Sequence, residues 1–382
     1  MYPALALTVP QVVGKSDGIL RAPVVRAVTF AGDPMQPHIE DLVSHLADPA
    51  YWGVTAEYGV GPLTVGPPIH VTDPAPESAD TSQVDAWVQS RFDGTHPEFG
   101  TPDSSTIYVV FYPATTGLIY EATPWCGAYH SATTVAGVVG ATPVVYAAVA
   151  DCVSPPSDAA FAPLDLAASH EVAEAATDSC IGGCQGFSVG FDQYAWSAIG
   201  LFGSGPSLQV FGSGEVADLC ETGDDGFTVP GTLFDVQRVW SNAAMRAGHD
   251  PCVPETHVGA PYFNAMPALP DAIDFALDAN SSVETRGVQV PMGRSRVVEL
   301  DLYSDADTHG PWNLTTITYD LDPFDFKRGP HLTVKLDRTT GQNGEKAYLT
   351  ITRKTEGTAS TILYVNSSLG SVTRVWPLAV SQ

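Results

Sequence analysis

The segment 164–177 constrains this chain more than any other. Leu164, Leu166, Ala167, Ala168, Val172, Ala173, Ala175 and Ala176 make it apolar nearly all round, the pattern of a helix buried in a core. Asp165, His170, Glu171 and Glu174 nevertheless lie on it, and Asp178 follows directly. Bare charges in such a place are costly unless each is engaged by an ion or a hydrogen-bonding partner. Whatever surrounds this helix must supply those partners.

The spacing of the charges points to a metal. With 3.6 residues per turn, His170 and Glu174 stand one turn apart on one face, and Asp178 falls roughly one turn further on. An imidazole and a carboxylate four residues apart can hold one ion, as the two histidines of His-Glu-x-x-His do. Glu171 sits beside the first ligand, placed to take a proton from metal-bound water without ligating. This is the logic of a Zn2+ hydrolase with Glu in place of the second His.

A hydrolytic site needs a third protein ligand and an open position. Three ligands strung along one straight helix span about 12 Å from first to last, too far for bonds near 2 Å. Asp178 is therefore left to cap, to orient a ligand or to bind a second, structural cation such as Ca2+. Asp218 is the expected third ligand, with Glu215 in reserve; both lie in Gly214-Glu215-Val216-Ala217-Asp218-Leu219-Cys220. His130, in Ala128-Tyr129-His130-Ser131, is a further candidate as ligand or as transition-state donor.

Around the helix the first half reads as mixed α/β. Residues 24–30 and 107–112 form strand-like apolar runs, as do 144–149, while Ile39, Leu42, Val43 and Leu46 share one helical face. A Pro-rich loop at 67–80 precedes a second amphipathic helix carrying Val84, Trp87, Val88 and Phe92, with Ser82 as its expected cap, and Asp165 as the expected cap of the central helix. Residues 182–232 are Gly-rich and irregular, and 235–245 suggests a last short helix. The stretch 259–270 has a Pro-rich linker composition. Beyond 271, period-two segments at 297–303, 314–321, 331–336, 347–352, 360–365 and 372–380 predict an Ig-like antiparallel β-sandwich. Three parts result: 1–258, a linker at 259–270, and 271–382.

Charge and cysteine usage divide the chain at the same place. Residues 1–259 hold 6 basic and 29 acidic side chains, against 11 and 14 in 260–382, within a net charge of −26 that repels nucleic acid and anionic lipid. All six cysteines fall in the acidic part. Pairing of sequence neighbours, Cys126 with Cys152, Cys180 with Cys184 and Cys220 with Cys252, would close a small Gly loop after the metal helix and tie the carboxylate segment to its domain's end. Oxidised cysteines and only five lysines suggest a secreted protein, although 1–10 lacks the basic start of a signal peptide. The uncharged run 122–150 is broken by Pro124, Pro143 and several Gly, so it is no membrane span.

Several segments together resemble a known family. They are Phe30-Ala31-Gly32-Asp33, Tyr51-Trp52 with Glu57-Tyr58-Gly59-Val60-Gly61, Tyr108-Val109-Val110-Phe111, Cys126-Gly127-Ala128-Tyr129-His130, 169–178, 215–220 and Trp240-Ser241-Asn242. Over roughly 20–253 the chain is similar to secreted bacterial proteins related to the plant exordium (phosphate-induced) family. Those relatives carry His-Glu-x-x-Glu-Ala-x-Thr-Asp followed by Glu-x-x-Asp-x-Cys. The resemblance implies an α+β zincin-like metallopeptidase domain, here followed by the sandwich; Ser179 stands where a Pro is usual, and 180–211 is longer and richer in Gly.

The leading expectation is a secreted, monomeric zinc peptidase acting on protein or peptide, with His170, Glu174 and Asp218 as ligands and Glu171 and His130 as catalytic groups. A non-catalytic extracellular binding protein with a structural metal and the sandwich as its working face is the alternative. A serine hydrolase ranks third, because no Gly-x-Ser-x-Gly occurs and Ser169 adjoining His170 on a helix cannot form a triad.

Overall fold

The computed structural model describes residues 2–5, 8–14, 18–120, 123–137, 140–152, 158–184, 187–189, 193–197, 214–221, 226–256, 259–276, 282–320, 331–354 and 360–382. Two compact units form, and they interleave in sequence. One comprises Gly14–Phe187 and Asp225–Val239; the other comprises Met1–Val13, Ser188–Asp224 and Trp240–Gln382.

In the first unit a six-stranded sheet runs in the order Thr64–Val65, Val24–Thr29, Thr106–Tyr112, Gly140–Ala150, Ala128–Gly137, with Ile69–His70 also pairing with Val24–Thr29. The first strands are parallel. The last pair is an antiparallel hairpin in which His130 stands opposite Ala147. Thr106–Tyr112 is buried along its whole length, as a central parallel strand must be when both faces are covered. Alternation sends Ile107, Val109 and Phe111, with Val145, Ala147 and Val149, to one face. There they meet Ile39, Leu42 and Val43 of the helix Gln36–His45 and Leu164, Ala168, Val172, Ala175 and Ala176 of the helix Asp158–Thr177. Tyr108, Val110 and Tyr112 face the opposite way, onto Val84 and Val88 of the helix Thr81–Ser90. That helix is capped by Asp80, not Ser82: Asp80 accepts from the Gln83 amide at 2.9 Å while Gln83 accepts from the Asp80 amide, also at 2.9 Å. Ser82 instead donates to the capping carboxylate.

The second unit holds a sheet of order Phe263–Pro267, Ser295–Ser304, Lys346–Arg353, Leu332–Leu336. A second sheet has the order Asp271–Ala276, Ser282–Gln289, Val372–Ser381, Ser360–Leu369, Trp312–Asp320, Thr340–Gly341. Each period-two segment read beyond 271 coincides with a strand, while Asp271–Ala276, Ser282–Gln289 and Thr340–Gly341 are strands outside those segments. Trp196 packs between Trp240 and Trp376, its ring 5.0 and 5.2 Å from theirs. All three disulfides join sequence neighbours as expected: Cys126–Cys152, Cys180–Cys184 and Cys220–Cys252.

The expected class, an α+β zincin-like domain followed by an Ig-like β-sandwich, is not what forms. The described residues are mostly β, with twenty-five strands against five α-helices, spread over seven sheets. Segments read as loop or irregular pair into strands: Ile69–His70 and Ser78–Asp80 within 67–80, and Phe187–Val189 and Phe227–Thr228 within 182–232. Phe263–Pro267, inside the stretch read as a linker, is a fully buried strand. A two- to five-residue strand needs only a partner edge, and no periodicity in so short a run announces it.

Leu42 is fully buried between helix and sheet, whereas Leu233 is 95% exposed. Leu42→Ala should lower the unfolding free energy by about 2–5 kcal/mol, and Leu233→Ala by less than about 0.5 kcal/mol, in chemical denaturation.

Candidate metal centre

The helix Asp158–Thr177 lies over the hairpin Ala128–Gly137/Gly140–Ala150 and the strand Thr106–Tyr112, and the packing of its small apolar side chains fixes which way its charges point. Its polar residues are tied along its length. The Ser169 hydroxyl donates to the Asp165 carbonyl at 2.6 Å and accepts from the Gln237 amide at 2.8 Å. Tyr51 donates to the Ser169 carbonyl at 3.2 Å, and burial pushes its phenol well above the ordinary range. Past the helix end, the Ser179 amide donates to the Gly18 carbonyl and the Leu20 amide to that of Ala176.

Asp165 is not a cap. The helix begins at Asp158, and Asp165 lies inside it, its carboxylate 2.6 Å from His38 Nε2. Burial raises its pKa, against the lowering influence of the His38 hydrogen bond. Asp178 does act locally: its carboxylate accepts from the Cys180 amide at 3.3 Å where the chain turns through the left-handed Cys180.

The central cluster gathers His130, His170, Glu171 and Glu174. His170 Nε2 lies 3.0 Å from Glu174 Oε2, on the same helical face as the spacing requires. His130 reaches in from the edge strand of the sheet: its Nδ1 is 3.0 Å from Glu171 Oε2 and 3.9 Å from Glu174 Oε2. His170, Glu171 and Glu174 are 8, 5 and 4% exposed, so solvent contributes little to balancing their charge. Ligand atoms of these three residues lie within 4.8 Å of one another. Tetrahedral bonds of 2.0–2.1 Å place donor atoms about 3.3 Å apart, so the His170–Glu174 pair is already at ligand spacing. Two imidazoles and two carboxylates also have the N and O donor chemistry that Zn2+ accepts.

Asp218 and Glu215 belong to the other unit. There the Glu215 amide donates to Asp218 Oδ2 at 3.1 Å, and Cys220 anchors the segment to Cys252. Sequence reasoning named His130 without its partner and missed the His38–Asp165 and Tyr51–Ser169 contacts. A buried Asp in an apolar helix was the available signal that a basic partner must come from elsewhere.

No family model matches the chain, and no curated protein does. Among solved structures, domains 4 and 5 of the S-layer protein SbsC align with 17% identity over 30% of this chain and 47% of theirs, at a TM-score of 0.18. A family 123 glycoside hydrolase from Clostridium perfringens aligns with 7% identity over 31% of this chain and 27% of its own, at 0.21. The chain thus spans less than half the length of these proteins. Similarity this low leaves the chemistry to be argued from the residues.

The raised pKa of Asp165 has a defined sign. Below its ordinary value of 3.8 the carboxyl is protonated folded or unfolded. As pH rises from there through the raised folded value, the unfolded chain releases the proton first, so this group's contribution to stability is lost with rising pH. Asp165→Asn should remove that loss, and urea denaturation of both proteins across the acidic range should show the variant gaining on wild type as pH rises.

Proposed function

We propose that the chain is a secreted zinc-dependent peptidase. The observation that carries this reading is the buried convergence of His170 and Glu174 at ligand spacing beside Glu171, a carboxylate held by His130. His170 and Glu174 are the two ligands from the helix, and Asp218, with Glu215 in reserve, is the proposed third. Three disulfides agree with an oxidising compartment. No helix of the described residues is long and apolar enough to cross a membrane.

A bound Zn2+ supplies Lewis acidity, polarising a peptide carbonyl and lowering the pKa of water towards about 7. The chain's own groups do the rest. Glu171 accepts the proton of the attacking water and delivers it to the leaving amine. His130, with Nδ1 at 3.0 Å from Glu171 Oε2, orients that carboxylate and is assigned the donation to developing negative charge. Ser169 and Tyr51 fix the helix turn from which His170 projects.

Glu171→Gln should leave metal content and melting temperature near wild type while hydrolysis of an unfolded protein falls about 10²-fold or more. His170→Ala should lose the metal. Full activity in Glu171→Gln would end this mechanism even with zinc bound.

The depth of burial favours a second reading, an extracellular binding protein whose metal is structural, because a substrate must reach groups at most 8% exposed. Stoichiometric zinc without cleavage of any unfolded protein would establish that reading. Within the first reading, Asp218→Ala should lower metal content sharply and Asp178→Ala should mainly lower stability. Metal analysis of the purified variants checks both; equal retention would move the third ligand to Glu215 or His130.

A further inference from the structure

The helix Asp158–Thr177 runs almost at once into a covalently closed loop. Cys180-Ile181-Gly182-Gly183-Cys184 begins three residues after the helix ends, and the Cys180–Cys184 disulfide makes it a ring. The loop turns tightly, the Gly183 amide donating to the Cys180 carbonyl at 3.1 Å. Gly182 at φ +79°, Gly183 at φ +106° and Cys180 at φ +54° all stand in the left-handed region. Glycine adopts that region freely, whereas a residue with a Cβ is strained in it. Among the described residues Cys180 is the one buried non-glycine residue held there.

The two ends of the bridge differ in access. Cys180 is 7% exposed and Cys184 lies open to solvent, so an incoming thiolate reaches the bridge at Cys184. The other two disulfides are guarded in other ways. Cys220 and Cys252 are both buried. Cys126 and Cys152 are exposed, but they flank the ten-residue register of the hairpin, and beside them the Ala150 amide donates to the Gly127 carbonyl at 3.0 Å. Their thiols stay together after reduction and close again. Cys184 is joined to Cys180 through Ile181-Gly182-Gly183, whose glycines regain wide freedom once the ring opens.

What the ring holds is the carboxyl end of the helix. The Cys180 amide donates to Asp178 Oδ1 at 3.3 Å, the Asp178 amide donates to the Glu174 carbonyl at 2.6 Å, and between them the Ser179 amide donates to the Gly18 carbonyl at 2.8 Å. We propose that the Cys180–Cys184 disulfide is a redox-sensitive latch on this helix end, opened by a low-molecular-weight thiol. The thiolate attacks Cys184 Sγ and forms a mixed disulfide there; the Cys180–Cys184 bond breaks, and its electron pair leaves on Cys180 Sγ, which takes up a proton. A second thiolate attacks the reductant's sulfur in the mixed disulfide, and Cys184 leaves and is protonated in turn. Two small thiols are thereby oxidised to one disulfide while the protein bridge is reduced to two thiols. Released from the ring, Cys180 relaxes out of the left-handed region and the bonds at 178–180 loosen. The latch concerns the helix end alone and holds whichever ion His170 and Glu174 take.

The test uses the full chain in graded mixtures of reduced and oxidised glutathione, quenched with N-ethylmaleimide and mapped by mass spectrometry, with hydrogen exchange followed in the same mixtures. Cys180 and Cys184 should become alkylated in mixtures about tenfold less reducing than those that open the other two bridges, with glutathione found on Cys184 and not on Cys180. Exchange at 178–180 should quicken while that of the hairpin amides at 140–150 stays slow. Cys180→Ser combined with Cys184→Ser should show the quick exchange without any thiol. Cys180→Gly combined with Cys184→Ser should restore slow exchange, because glycine keeps the left-handed turn without the ring. Reduction of this bridge together with or after Cys126–Cys152 overturns the proposal, as does exchange at 178–180 that reduction leaves unchanged. Equally quick exchange in the two double variants overturns it as well. If either variant fails to fold, the glutathione titration of the wild-type chain decides.

Discussion

Everything around the helix Asp158–Thr177 answers to one cost, that of keeping carboxylates inside an apolar core. Each of the three buried acids among its described side chains meets an imidazole: Asp165 meets His38 from the helix Gln36–His45, Glu171 meets His130 from the edge strand, and Glu174 meets His170 from the turn before it. A buried pair of this kind contributes little net stability, because desolvation offsets the attraction, yet removing one partner costs about 3–5 kcal/mol. Such groups are poor choices for holding a core together.

The sheet is what delivers His130 to that helix. Along Ala128–Gly137, residues 128, 130 and 132 face the helix, and Ala128 and Ala132 pack into its core. Tyr129 faces the other way, its ring 6.2 Å from Tyr146 and 6.1 Å from Trp125. A one-residue slip in the hairpin would exchange the two, sending a tyrosine to the carboxylates and the histidine to the aromatic cluster. The ten-residue register with Gly140–Ala150 prevents it, and the Cys126–Cys152 bridge joins the chain just before the first strand of the hairpin to the chain just after the second. Here pairing, side-chain alternation and site geometry are one constraint.

How much of this was legible follows from the length scale of each signal. The His170–Glu174 contact is written in a four-residue spacing and is found at 3.0 Å. Strands of eight to ten residues, such as Ser295–Ser304 and Lys346–Arg353, show clear alternation and are found where it predicts them. Two-residue strands such as Ile69–His70 carry no period, and enough of them turned an expected α+β class into a mostly β one. His38 and Asp165 lie 127 positions apart, and no local pattern links them. Asp33 was visible only as part of a motif, because its burial and its coupling to Asp151 depend on how three parallel strands end together.

The two groups of buried acids differ in the partners the fold gives them. Glu171 and Glu174 face imidazoles, which offer nitrogen donors and can exchange protons near neutral pH. Asp33 has the Met35 amide on one oxygen and no imidazole, and its pKa is raised chiefly by burial, with the charge of Asp151 adding to it. The first group joins the sheet's edge strand to the helix, whereas Asp33 follows the carboxyl end of the strand Val24–Thr29. The imidazole of His130 stays within 3.0 Å of Glu171 only while the hairpin beneath the helix keeps its register.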